Sequence, residues 1–126
     1  MKVKMSDKLF FDTCALIEIS KGNLRFERYK KSFMILTDLN LMEYAYYLLK
    51  IGKENQIKEI FEELGSFVVD YTDEILVEAA KMKFEYKKEK LSFVDCIGYL
   101  LAKKHEARFL TSDGKFESKD NVEYVK

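Results

Sequence analysis

Four acidic residues far apart in the chain, Asp12, Glu43, Asp95 and Asp113, each stand where an apolar run meets a predicted strand end or helix start. A lone carboxylate in such surroundings is costly to desolvate, and gathering several within ~5 Å adds like-charge repulsion. A shared divalent cation relieves both costs. An all-oxygen donor set selects a hard ion, Mg2+ or Mn2+, which keeps several waters and binds phosphate. The single histidine, His105, and two cysteines, Cys14 and Cys96, at no metal-type spacing, speak against zinc.

Each acid also has a plainer reading. Asp12 would cap a helix starting at Thr13, and Asp113 lies in the turn Ser-Asp-Gly, where aspartate bonds its own backbone. Glu43 follows Asn40, and Asp95 follows Ser92, at capping-box spacing. Capping and metal ligation can coexist in one side chain. Glu43 has the apolar or aromatic neighbours Leu39, Met42, Tyr44, Tyr46 and Tyr47, so something cationic is expected to compensate it.

The elements that must position these acids alternate. The run KLFFD, residues 8–12, reads as a strand leading into a helix over 13–20, broken at Lys-Gly-Asn. SFMILT, 32–37, reads as a second strand, followed by a helix with Asp and Asn caps that ends at Gly52. Residues 53–64 place Ile57, Ile60, Phe61 and Leu64 on one helical face, and the β-branched run 67–71 reads as another strand. Thr72 or Asp73 would cap a long helix reaching about Lys88, and Ser92 opens one reaching about Glu106. The strand ARFLT and an extended piece over 122–125 close the chain. Apolar strands separated by helices predict an α/β fold whose mostly parallel sheet is covered on both faces, with sites beyond the carboxyl ends of its strands.

Composition bounds the function. With 48% apolar and 35% charged residues the chain reads as globular, and 126 residues suit one domain. Apolar stretches fall short of a membrane span, and no apolar core follows the charged start, so a cytoplasmic protein without a membrane partner is expected. A formal net charge of zero removes the whole-molecule attraction that nucleic-acid binders usually show. Local cations would have to supply it, and Lys21, Arg25, Arg28, Lys30 and Lys31 form the densest basic run. The two cysteines, inside apolar runs, read as buried thiols.

On these residues the chain resembles the PIN-domain ribonucleases, in particular the VapC-type toxins of prokaryotic toxin-antitoxin pairs. FFDTCALIE is similar to the family's first strand, Asp, Thr and helix; NLMEYAYYL is similar to its Glu-bearing helix; residues 91–116 carry the helix Asp, then strand, then Thr-x-Asp-x-x-Phe. The resemblance implies one PIN-like domain over 1–126, a three-layer α/β/α sandwich with a mostly parallel four- to five-stranded sheet. It makes Asp12, Glu43, Asp95 and Asp113 the catalytic, metal-holding acids, with Thr111 and Thr13 in support. The expected activity is RNA phosphodiester hydrolysis with one or two Mg2+ or Mn2+ ions. Arg25, Arg28 or Lys115 would contact substrate phosphates. An antitoxin partner and a homodimer follow from the likeness alone. The alternative is a non-catalytic PIN-like module that binds RNA or protein, which need show no metal dependence.

Overall fold

The computed structural model describes residues 8–126, and the charged opening stretch, 1–7, with its lack of a signal-type core, lies outside the described residues. Four strands, β1 (Lys8–Phe11), β2 (Phe33–Ile35), β3 (Arg108–Thr111) and β4 (Val122–Tyr124), form one parallel sheet in the order β2-β1-β3-β4. Five helices connect them: α1 (Thr13–Ser20), α2 (Asp38–Lys50), α3 (Ile57–Leu64), α4 (Asp73–Glu85) and α5 (Phe93–Lys104). The central strands β1 and β3 are buried almost throughout, which is why they read as continuous apolar runs.

The pleat sends alternate residues to opposite faces and so builds two cores. Phe10 and Phe109, paired in register, pack with Ile75, Ala79 and Met82 of α4 and Cys96, Ile97 and Leu101 of α5. Leu9, Phe11 and Leu110 face the other way, onto Ala15 and Leu16 of α1 and Leu41, Tyr44 and Leu48 of α2. The result is the expected α/β/α sandwich. Gly98 sets the spacing of one layer, because a Cβ there would stand 2.6 Å from the Phe10 ring, and its absence lets α5 lie directly on the sheet.

Some local expectations are corrected. The run over 67–71 makes only an isolated parallel bridge, Leu36 to Val68, through two backbone hydrogen bonds. The chain beyond Leu36 turns at once into α2, so little strand edge remains to pair with. Residues 24–31 form a 3-10 helix that buries Phe26 and Tyr29, three apart as that helix requires, and leaves Lys21, Arg25, Arg28, Lys30 and Lys31 exposed. α4 stops at Glu85; a 3-10 turn over Lys87–Glu89 follows, and Lys90 takes a left-handed conformation at φ 57°. Among the described residues no helix is long and apolar enough to cross a membrane.

Candidate active site

All four acids line one cleft of about 350 Å³, together with Thr13, Cys14, Ile17, Tyr46, Tyr47, Lys50 and Ser92. Its place follows from the topology. Asp12 leaves the carboxyl end of β1 and Asp113 follows the carboxyl end of the neighbouring β3, while α2 and α5 bring Glu43 and Asp95 from opposite layers of the sandwich.

Two of the acids also cap, as the plainer readings held, and a third stands in a first turn that Ser92 caps. Asp12 Oδ1 accepts the Ala15 amide at 2.8 Å to start α1, and Asp113 Oδ1 accepts the Lys115 amide at 3.0 Å. Ser92 Oγ accepts the Asp95 amide at 3.0 Å to start α5. The cap geometry places each carboxylate at the beginning of its turn, on the cleft.

Glu43 is different, and its capping reading is corrected. α2 is capped by Thr37, whose hydroxyl accepts the Asn40 amide at 3.3 Å while Asn40 Oδ1 accepts the Thr37 amide at 3.0 Å. Asn40 is thus the reciprocal partner in the capping box, a full turn before Glu43. Its Nδ2 donates to Thr13 Oγ1 at 3.1 Å, and Thr13 in turn donates to Glu43 Oε1 at 2.5 Å. Because Asn40 supplies only a donor to Thr13, the threonine hydroxyl must spend its proton on Glu43. The network holds one carboxylate oxygen and leaves Oε2 without a protein donor among the described residues. Asn40, 2% exposed, is a positioning residue that sequence reading assigned to capping alone.

Asp12 is the most desolvated of the set, 4% exposed, and burial pushes its pKa from 3.8 up to about 6, opposed by hydrogen bonds from Thr111, Cys14 and the Ala15 amide. Cys14 Sγ lies 3.1 and 3.2 Å from the two Asp12 oxygens, and burial with the adjacent carboxylate pushes the thiol up to about 12. It is therefore a neutral donor to Asp12. Fully buried Thr111 accepts the Asp113 amide at 3.0 Å, tying β3 to the last acid. Asp95 is raised by burial and by the charges of Asp113 and Glu43, an electrostatic sign that these groups feel one another.

None of the four acids makes an ion pair among the described residues. Lys50, the one cation lining the cleft among the described residues, lies instead 5.0 Å from the Tyr46 ring centroid. A carboxylate set with oxygen donors and no counter-charge suits a hard divalent cation. Among the described residues, no three His, Cys, Asp or Glu side chains stand close enough to hold a metal together. An ion that retains several waters, bridged to some of the acids, fits that spacing.

The expected phosphate contacts lie elsewhere. Arg25 donates to the Lys126 carbonyl at 2.5 Å, Arg28 stacks 5.0 Å from the Tyr29 ring, and Lys115 Nζ donates to the Lys90 carbonyl at 3.3 Å. None of the three lines the cleft. Lys50 was legible in principle: Glu43, Tyr46, Tyr47 and Lys50 stand at i, i+3, i+4 and i+7, one face of α2.

A parallel sheet with carboxylates at the ends of its two central strands and on a helix from each layer defines an acidic-site α/β domain. The family model of the PIN domain matches residues 9–122, and the chain belongs to that family. Among solved structures it is similar to a chain of a toxin-antitoxin complex from Klebsiella pneumoniae, at 20% identity and a TM-score of 0.74, covering 94% of this chain and 98% of that one. No curated protein matches the sequence.

Proposed function

We propose that this protein is a Mg2+- or Mn2+-dependent endoribonuclease and the toxin of a toxin-antitoxin pair. The observation that carries the reading is the convergence of Asp12, Glu43, Asp95 and Asp113, unpaired with any cation among the described residues, in one cleft at the carboxyl edge of the sheet. PIN domains are generally nucleases, which supports the chemistry. The similarity to a chain from a toxin-antitoxin complex supports an antitoxin partner. Self-association into a homodimer is part of the same reading.

Asp12, Asp95 and Asp113 would hold the ion or ions, directly or through water, with Glu43 as a further ligand or water-orienting base. When bound, the metal would acidify water and neutralise charge on the scissile phosphate. Thr13 engages Glu43 Oε1, so Oε2 is the oxygen available to orient a nucleophilic water and accept its proton. Cys14, the Ala15 amide and Thr111 stabilise Asp12 as an anion and keep it oriented. Replacing Asp12 by Asn is expected to abolish RNA cleavage, and EDTA to do the same until Mg2+ or Mn2+ is restored. Undiminished cleavage by the Asp12→Asn variant would refute the assignment.

A further inference from the structure

The cleft that gathers the acids repels a polyanion, and the net charge of zero offers no general attraction. Substrate must therefore be held by something local. One wall of the cleft is unlike the rest: Tyr46, Tyr47 and Lys50 project from the face of α2 that carries Glu43. Tyr47 is half-buried and stands edge-on to buried Tyr44, with ring centroids 6.4 Å apart, so it is part of the scaffold. Tyr46 is 63% exposed, a large ring left in water beside a charged cleft. Lys50 is exposed, pairs with no carboxylate among the described residues, and holds its ammonium 5.0 Å from the Tyr46 centroid.

We propose that Tyr46 and Lys50 form a nucleotide subsite on the rim of the acidic cleft, Tyr46 stacking an unpaired base and Lys50 contacting a backbone phosphate. This rests on the nuclease reading for its substrate class. An aromatic face with an adjacent cation is the pairing that single-stranded nucleic acids use, and any base can stack on it. Duplex RNA keeps its bases inside the helix and cannot offer one to Tyr46. The ring sits about one helical turn from Glu43, so a base held there brings the neighbouring backbone to the carboxylates. Lys50 lines the cleft and can reach the substrate backbone there, which Arg25, Arg28 and Lys115, none of them in the lining, cannot.

The test is a fluorescence-anisotropy titration of a labelled single-stranded RNA and of the same sequence as a duplex, in Ca2+, which fills hard-cation sites without requiring turnover. Tyr46→Ala is expected to weaken single-strand binding about tenfold, and Tyr46→Phe less than about threefold, because the ring and not its hydroxyl stacks. Lys50→Ala is expected to weaken binding and to reduce the slope of log affinity against log salt by about 0.7, with Lys50→Arg restoring it. Duplex binding should be insensitive to Tyr46→Ala. Both side chains are exposed, so thermal melts of the variants should match the parent. Single-strand affinity within about twofold of the parent for both Tyr46→Ala and Lys50→Ala, or equal losses for duplex and single strand, would overturn the subsite. Binding with the expected dependence but no cleavage in Mg2+ or Mn2+ would sink the nuclease reading and leave the subsite standing. Cleavage insensitive to Tyr46 would do the reverse.

Discussion

Of two concavities formed by the described residues, the smaller is the more informative. The larger, about 740 Å³, lies where α4, α5 and the segment before β4 meet, and it mixes Glu78, Glu85, Glu89 and Asp120 with Lys81, Lys103 and Lys119. Four of these seven charges are matched in pairs: Lys119 bonds Glu89 at 2.9 Å and Lys103 pairs with Asp120 at 3.1 Å, while Tyr99 also donates to Asp120. Hydrogen bonds from Tyr99 and Lys103 hold the Asp120 carboxyl below the usual range. In the smaller cleft, about 350 Å³, four acids face, among the described residues, one lysine that pairs with none of them, and burial raises Asp12 and Asp95. Size therefore does not mark the candidate site. Uncompensated charge does, because a fold tolerates the cost of unpaired buried anions only where something else repays it.

The sharpest way to break this contrast is to neutralise one acid in each concavity. Asp12→Asn should lower RNA cleavage by at least about a hundredfold, the scale of removing one preorganised charge, while Asp120→Asn should leave it within about twofold. Stability should move oppositely to activity. A carboxyl whose folded pKa is raised from 3.8 to about 6 holds more protons in the native than the unfolded state, so metal-free stability falls as pH climbs through that window. The gap corresponds to about 3 kcal/mol, absent below pH 3.8 and complete above about pH 6. Asn keeps an oxygen for the Ala15 amide and cannot ionise. In EDTA at pH 7.5, urea unfolding should show Asp12→Asn to be more stable than the parent by about 2 to 3 kcal/mol, with a flatter profile between pH 4 and 6. Asp95 leaves a residual slope. A variant less stable than the parent at pH 7.5 would show that Asp12 carries no stored electrostatic cost.

Much of this was legible in the residues, and what was not has physical causes. The strands KLFF and RFLT are buried on both faces and announce themselves as apolar runs. Three of the acids were found because Asp12 and Asp113 cap and Asp95 stands in the first turn that Ser92 caps, and capping obeys short-range sequence rules. The bridge at Val68 was over-read as a strand, since β-branched composition reports burial while pairing depends on a partner edge. Asn40 was hidden for a related reason: its carbonyl obeys a local rule, but its amide reaches Thr13, 27 residues away, and only the packing of α1 on α2 brings them together.

That Asn40 to Thr13 to Glu43 chain supplies a test of intermediate size. Thr13→Val keeps the shape, removes the donor to Glu43 Oε1 and strands Asn40 Nδ2. Loss of an outer partner to a charged ligand should reduce Mg2+-dependent cleavage about tenfold and raise the Mg2+ concentration for half-maximal rate, with Thr13→Ser recovering most of both. A fall in rate that Thr13→Ser does not rescue would mean packing, and not the hydroxyl, is what Glu43 needs.

The smallest effect belongs to the larger groove, and its sign is what matters. Lys119 is 12% exposed, bonds Glu89, and lies 4.0 Å from the Tyr86 ring centroid. Its partner Glu89 is 38% exposed, so water screens the pair and the two contacts together are expected to contribute about 1 kcal/mol. Lys119→Ala should therefore lower stability by about that amount, with a smaller deficit in high salt and no change in RNA cleavage. Removing a charge here destabilises because the charge is matched; removing one at Asp12 stabilises because it is not. If urea unfolding found Lys119→Ala as stabilising as Asp12→Asn, both concavities would carry unpaired charge, and the distinction that singles out the smaller one would be lost.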